Sequence, residues 1–418
     1  MKNNSTSSLT NSQSGTVNSQ SATERSRSMP KGWEIKKLGE VCKVIAGQSP
    51  KSKYYNNKGD GLPFYQGKKE FTEKFIGEPT KWTTKITKEA IKDDVLMSVR
   101  APVGPINFAT QKICIGRGLA SIRAGKQIDK EFLFNFLLKH EDEIVENAGA
   151  VFNSINKKQI EEIPIPIPPL PEQKRIVAIL DRAFSAIDRS RNIAEQNLNN
   201  AKELFESYLN RIFEEKGEDW DESELNEYVN FIDYRGRTPK KVETGIRLIT
   251  AKNIKKGFIQ KHPEEFIAIN DYEKWMTRGI PKKGDVLFTT EAPLANVAQL
   301  DTDEKVAFAQ RTIIFQPNPK TIFNTFLKYL LLSKIMQDKI ISQGTGATVK
   351  GIKSRLLKKI KIFYPKSIET QQQIVAQLDA LQAETKKLEE IYQKKITNLE
   401  ELKKSVLQKA FRGELTNE

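Results

Sequence analysis

The stretch LPEQKRIVAILDRAFSAIDRSRNIAEQNLNNAKELFESYLNRIF, residues 170–213, decides the fold because it occurs twice. Its second copy, IETQQQIVAQLDALQAETKKLEEIYQKKITNLEELKKSVLQKAF, fills residues 368–411. Gln173, Ile176, Val177, Ala178, Leu180 and Asp181 recur there as Gln371, Ile374, Val375, Ala376, Leu378 and Asp379. The offset of 198 residues, that of Gln371 from Gln173, still holds at Glu203 and Glu401, Leu204 and Leu402, Ser207 and Ser405, Leu209 and Leu407, and Phe213 and Phe411. A constant offset over about forty positions marks a duplication rather than shared coiled-coil composition.

Both copies carry an apolar repeat of 3.5 residues, the mark of a paired long helix. In the second copy Leu378, Tyr392, Leu399 and Val406 fall at one core position and Ile374, Leu381, Leu388 and Leu402 at the other. Thr385 and Lys395 interrupt it, with Ile396 beside the lysine to fill the seam. In the first copy Leu180, Ile187, Ala194 and Ala201 share one position, while Ser190, Asn197 and Arg211 enter the other, where Ile176 and Leu204 are the apolar members. Small and polar seam residues permit close approach and fix register at some cost in stability. Neither copy has a full apolar stripe, so the two are expected to pack on each other, antiparallel. About 44 residues at 1.5 Å per residue give a rod of about 65 Å, which suits a spacer. Ordinary helices of a compact bundle are the competing reading.

At 418 residues the chain has room for two or three domains. Its 68 Lys and Arg outnumber 53 Asp and Glu, a net charge of +15, which favours a polyanionic partner. No apolar run reaches transmembrane length. Only Cys42 and Cys114 are present, too few and too far apart for a disulfide framework or a zinc site, and this fits a reducing cytoplasm. His140 and His262, the only histidines, lie in polar contexts and read as surface residues rather than ligands.

Residues 1–28 are dominated by Ser, Thr, Asn and Gln and have no apolar core of a signal peptide, so they are expected to form a disordered tail. Met29 opens a stretch that looks like a natural beginning. Residues 29–168 form the first domain, with strand-like runs at 41–45, 62–65, 94–99, 113–115 and 119–122 separated by turn residues. A helix follows at 130–146, with Phe132, Leu133, Phe136, Leu137 and Ile144 apolar. The run IPIPIPPLP at 163–171 reads as an extended segment that aims the chain into the first long helix, 169–216, in preference to a protein-recognition PxxP ligand.

Residues 217–366 repeat the first domain in outline before the second long helix, 367–418. Leu38-Gly-Glu is echoed by Leu225-Asn-Glu, and Gly47-Gln-Ser-Pro50 by Gly236-Arg-Thr-Pro239. DVLMSVRAP at 94–102 matches DVLFTTEAP at 285–293, Gly116-Arg117-Gly118 corresponds loosely to Gln310-Arg311-Thr312, and GAVFNSI at 149–155 matches GATVKGI at 346–352. The expected class is therefore α+β: two similar mixed α/β domains separated by two long antiparallel helices that form a coiled-coil spacer with a pseudo-twofold.

Two similar basic domains on a spacer suit two separated half-sites on a DNA duplex, with one chain supplying both halves. Because the loops of the two domains differ, the half-sites should differ, giving a bipartite asymmetric target. The first domain offers Gln48, Ser49, Lys51, Lys53, Tyr54 and Tyr55, then Gln66, Lys68 and Lys69, with Arg100 and Arg117. The second offers Tyr234, Arg235, Arg237, Thr238, Lys240 and Lys241, then Lys252, Asn253, Lys255 and Lys256, with Glu291 and Arg311. Arg pairs bidentately with guanine and Gln or Asn with adenine, while Lys, Ser and Thr also hold phosphates.

At these residues the sequence resembles the specificity subunits of type I restriction-modification enzymes, the HsdS family, from Trp33 to the C-terminus. The most specific marker is IPIPIPPLPEQKRI at 163–176 leading into the long helix, joined by WEIKKLGEV at 33–41, which is similar to the start of a target-recognition domain. The resemblance implies two target-recognition domains, each on one half of a split DNA site, and a helical spacer that sets the gap. It further implies two modification subunits that methylate adenine with S-adenosylmethionine, and restriction subunits that use ATP and Mg for translocation and cleavage, with no cofactor bound by this chain. The second copy departs from the pattern, since FYPKSIE at 363–369 keeps only one of the prolines.

Two other functions compete. A fused methyltransferase or nuclease lacks its motifs here: there is no Asn-Pro-Pro-aromatic run and no Gly-rich loop for S-adenosylmethionine, and Ile352 spoils the Gly-Lys adjacency that a phosphate-binding loop needs at 346–354. A coiled-coil structural adaptor that ignores DNA is the alternative, and the basic excess weighs against it.

Overall fold

The structure, a computed structural model, describes residues 30–147, 154–234, 236, 238–346 and 349–416, with the backbone alone at 142–147. The tail at 1–28, residues 149–153 of the GAVFNSI block, and Ala347 and Thr348 of its second copy lie outside the described residues. The chain divides into two units, residues 1–193 with 395–418 and residues 194–394. Each unit holds one of the expected domains and part of both long helices, which are continuous over Leu170–Glu214 and Ile368–Ala410.

In the first unit Cys42–Ala46, Leu119–Ala124, Val95–Ser98 and Ile106–Phe108 form an antiparallel sheet in that order. A second sheet runs Tyr55–Asn56, Trp82–Thr83, Leu62–Tyr65, Ile113–Ile115, Glu89–Ala90, with Leu62–Tyr65 and Ile113–Ile115 parallel. The run Val95–Ser98 is buried on both faces, which is why it reads as continuous apolar sequence rather than an alternation. Val95 and Met97 join the core under the helix Lys130–Asn147, with Phe132, Leu133, Phe136 and Leu137, while Leu96 joins Tyr65, Ile113 and Ile115.

The second unit has the same plan. Val229–Asp233, Thr312–Pro317, Val286–Thr289 and Val297–Gln299 form the antiparallel sheet. Lys241–Val242, Phe266–Ile267, Ile246–Ile249 and Val306–Phe308 form the second sheet, again with one parallel pair. Val286 and Phe288 face the core under the helix Asn324–Leu332, and Leu287 faces the other. The short helices Leu38–Val41 and Leu225–Tyr228 realise the Leu-x-Glu echo.

The proline ladder is itself a strand: Pro164–Ile167 pairs antiparallel with Glu34–Lys37. It has a single neighbour, so the missing proline N–H groups leave no ladder bond unmade. Lys361–Pro365 pairs in the same way with Trp220–Glu224 despite its single proline, so the departure in sequence leaves the joint unchanged. The duplicated glutamine explains how. Gln173 donates to the carbonyls of Pro168 (2.8 Å) and Gln127 (2.9 Å), and its Oε1 accepts the Asp129 N–H (2.8 Å). Gln371 donates to Pro365 (2.8 Å) and Thr321 (2.9 Å) and accepts from the Phe323 N–H (2.8 Å). Both are fully buried. Each knots the end of a strand, the approach to the domain helix and the first turn of the long helix. Gln173→Leu or Gln371→Leu strands buried backbone groups, so each is expected to cost on the order of 3 kcal/mol. Denaturant unfolding checks this, and an unchanged midpoint would remove the knot from the account.

Within the first unit the long helices run antiparallel, since Asp188 meets Lys403 (3.4 Å) and Arg191 meets Glu400 (3.7 Å). Exposed ion pairs add little. Packing does more: Phe411 stands edge-on to Phe132 (5.1 Å) and Phe136 (5.6 Å). In the second unit Tyr208 donates to Gln377 Oε1 (3.1 Å).

The seam is corrected in part. Ile176, Leu180, Ile187 and Leu378 are buried, and Ile374, Leu381 and Leu399 are half-buried. Leu204, Leu388 and Leu402, however, are exposed at 50%, 38% and 48%. The second row of the Ile368–Ala410 seam lies one residue on, at Val375, Ile396 and Ala410, with Gln382, Glu389 and Lys403 half-buried between them. One residue turns a helix by about 100°, which moves a leucine from seam to surface. The expected interruption, Thr385, is buried and donates its hydroxyl back to Leu381 O (3.0 Å).

Candidate nucleic-acid interface

In the first unit three loops meet where the two sheets end. Gly47 and Gln48 follow Cys42–Ala46, Gln66 follows Leu62–Tyr65, and Gly116-Arg117-Gly118 joins Ile113–Ile115 to Leu119–Ala124. Their backbones touch: a Cβ on Gly47 would lie 2.2 Å from Gly116 O, and one on Gly118 2.5 Å from Gln66 O. Only glycine fits at such an approach. The Ser49 hydroxyl donates to Gln66 Oε1 (2.8 Å) and accepts the Arg117 N–H (3.2 Å). Gln48, Ser49, Gln66 and Arg117 are thus gathered, with Gln48, Gln66 and Arg117 exposed. Arg100 joins them across a groove closed by Ser154, Asn156 and Lys157.

Beside this group Lys51 is exposed, and Lys53 and Tyr54 lie in the turn Ser52–Tyr54. Lys53 and Lys85 flank the Tyr54 ring at 5.2 and 5.4 Å, and Lys81 lies 5.9 Å from the Tyr55 ring. Sequence reasoning missed Lys81 and Lys85, which reach the cluster because Trp82–Thr83 pairs with Tyr55–Asn56. Lysines on either side of Trp82-Thr83 were the available signal. Tyr55 is corrected to a packing residue: half-buried, it stacks on Phe64 (4.7 Å) and donates to Pro50 O (2.9 Å), and burial pushes its phenol up. Lys68 and Lys69 are exposed on the next turn, Lys68–Glu70.

In the second unit Thr238, Lys241, Lys252 and Arg311 line one groove. Glu291 and Arg311 line a second with Gly236 and Lys353. Lys240 is exposed alongside Thr238, whereas Lys241 is paired with Glu265 (2.7 Å). Arg235 and Arg237 lie outside the described residues. Two expectations are overturned. Tyr234 is buried, donating to Gly279 O (2.8 Å) and accepting the Arg278 N–H (3.2 Å), because it takes the position after its strand that Gly47 takes in the first unit. Asn253 is buried as a turn brace, with its Oδ1 accepting the Thr250 N–H (3.0 Å) and its amide donating to Pro263 O (2.9 Å). Lys255 and Lys256 sit on a different turn, tied to the strand Val297–Gln299 through Gly257.

The register of the matched arginines also shifts by one. Leu119 pairs with Ser98 as Thr312 pairs with Thr289, so Arg311 stands at the place of Gly118 and Gln310 at that of Arg117. Among the described residues no group of three or more His, Cys, Asp or Glu could hold a metal.

Duplicated sheets, with exposed amide and guanidinium groups at equivalent loops beside each unit's share of the long helices, define a chain of two similar domains. Comparison with known proteins takes the class further. A family model described as type I restriction modification DNA specificity domain matches residues 30–197 and 217–398, and the chain belongs to that family. It is 44% identical over 173 residues to the putative type I restriction enzyme MjaX specificity subunit of Methanocaldococcus jannaschii, a match that spans only 40% of each chain. With the EcoBI specificity subunit of Escherichia coli it shares 23% over 420 residues, 93% of this chain and 87% of that one. Among solved structures it superposes with a TM-score of 0.76 on a chain described under "complex assembly and conformational transition of the type I R-M system", 20% identical over 92% of this chain and 99% of that one. The HsdS subunit from Thermoanaerobacter tengcongensis gives 0.57 at 20% identity, over 92% and 98%. At that identity the solved structures speak for the fold, and the family match for DNA specificity rather than catalysis. The adaptor reading is thereby set aside.

Proposed function

We propose that the chain reads a bipartite, asymmetric DNA site, one half per head, with the gap set by the paired helices. Two modification subunits that methylate adenine with S-adenosylmethionine dock on it, and restriction subunits that use ATP and Mg complete the assembly in the cytoplasm. The observation that supports this reading is that the two units offer equivalent loops at equivalent sheet ends, furnished with unlike residues: Arg100 stands where the second unit has Glu291, and Gly118 where it has Arg311. Equal scaffolds with unequal loops suit two different half-sites. Among the described residues no helix is long and apolar enough to cross a membrane.

Phosphate contact by the exposed lysines makes binding depend on salt. Affinity of the assembled complex for duplex DNA is expected to fall by about a thousandfold or more between 50 and 200 mM salt, the loss that six to ten neutralised phosphates give. Fluorescence anisotropy across that range measures it, and an affinity that ignores salt would contradict the proposal.

A further inference from the structure

Arg311 and Glu291 form an exposed charged pair on a fixed backbone frame of the second head. Arg311 has φ +74°, a backbone conformation costly for a residue with a Cβ. Its carbonyl accepts the Thr290 N–H (2.9 Å), and the Thr290 carbonyl accepts the Ile352 N–H (3.0 Å). Glu291 is itself fixed by a bridge to Gly351. Across this frame Arg311 Nε donates to Glu291 Oε1 (2.8 Å). The terminal amino groups of Arg311 have no partner among the described residues, and its side chain is 46% exposed.

The first head has the same frame with other residues. Val99 donates to Gly118 O and receives from the Ile155 N–H, and Arg100 bridges Ser154 as Glu291 bridges Gly351. There the place of Arg311 is Gly118, whose Cβ would strike Gln66 O, and the place of Glu291 is a cation, Arg100. At this loop position a carboxylate holds an arginine in the second head only.

We infer that Arg311 reads a guanine in the half-site of the second head, and that Glu291 is its positioning residue. A guanidinium reads guanine O6 and N7 through two parallel donors, which requires a fixed plane. Glu291 engages the Nε and leaves the terminal pair free for the base. Arg100 and Arg117, lacking a carboxylate at that place, suit phosphate contact instead. The inference rests on the two-headed reading.

The test uses the assembled methyltransferase complex with Arg311→Ala, Glu291→Ala and Glu291→Gln, reading the methylated motif and the binding of duplexes substituted one base at a time. Arg311→Ala is expected to lose discrimination for guanine at one position of the second head's half by about tenfold or more. Glu291→Ala relaxes that same position, and Glu291→Gln restores most of it, because the amide oxygen still accepts the Nε–H. A purely structural role would lower binding to every sequence by one factor, and that result, or relaxation in the other half, would overturn the inference. If exchanging the whole second head leaves the motif unchanged, the two-headed reading itself fails. If that exchange changes one half while Arg311→Ala alters no base preference, only the present inference does.

Discussion

Exchange of residues 33–168 for the corresponding domain of a relative with a different target replaces one half of the methylated motif and leaves the other half and the gap as they were. The first head supports such an exchange because it is closed by its own strand pair, Glu34–Lys37 with Pro164–Ile167, and its loops are braced internally through Gly47, Gly118 and Ser49. One condition follows from the core. Phe132 and Phe136 pack against Phe411 at the end of the second long helix, so the donor domain must supply matching aromatics. Loss of a buried phenylalanine contact costs about 3–5 kcal/mol, enough to unfold a marginal unit. Methylome sequencing of cells carrying the chimaera reads the outcome, and a change in both halves would contradict one head per half.

The second large effect concerns two matched aspartates that respond in opposite senses. Asp94 is buried and accepts both Arg123 Nε and Nη2 (2.8 Å each), the Ser121 hydroxyl (2.7 Å) and the Ile91 N–H (3.0 Å). Asp94→Asn removes the charge and leaves the guanidinium facing an amide. Breaking a buried pair costs about 3–5 kcal/mol, and the partial exposure of Arg123 lowers this to about 2 kcal/mol. Asp285 holds the equivalent place with neutral donors, Gln316 Nε2 (2.7 Å) and the Lys282 N–H (2.8 Å). Burial raises its carboxyl above the ordinary value of 3.8. A raised pKa means that the folded state binds the proton more tightly, so this group favours folding below about pH 3.8 and loses that advantage as pH rises through its folded value. Asp285→Asn is then expected to be neutral or stabilising at pH 7. Amide hydrogen exchange, followed separately for Leu119–Ala124 and Thr312–Pro317, distinguishes the two units. Equal destabilisation by both substitutions would contradict the difference in partners.

Much of this architecture is legible from pattern. The 198-residue offset yields both long helices, the strands at 62–65 and 113–115 match to the residue, and the recurrence of Gln173 as Gln371 flags the knot without revealing its bonds. What escapes depends on partners distant in sequence. The seam shifts because heptad spacings of three and four are interchangeable on paper, whereas packing selects Ile396 over its neighbours. Tyr234 and Asn253 look like readers because their polar atoms are visible in sequence, but the backbone groups that satisfy them, at Gly279 and Pro263, are not. Thr250-x-x-Asn253 does carry a turn signal that favours the structural role. The Arg311–Glu291 clamp spans 20 residues and a one-residue shift of register, so no local pattern exposes it.

The central claim, two unlike heads on one chain each reading its own half-site, is tested most directly by the methylated motif of a host that carries the intact complex. Single-molecule methylome sequencing is predicted to give two different short sequences separated by a fixed run of unspecified bases. A single continuous motif, or two identical halves, would contradict it.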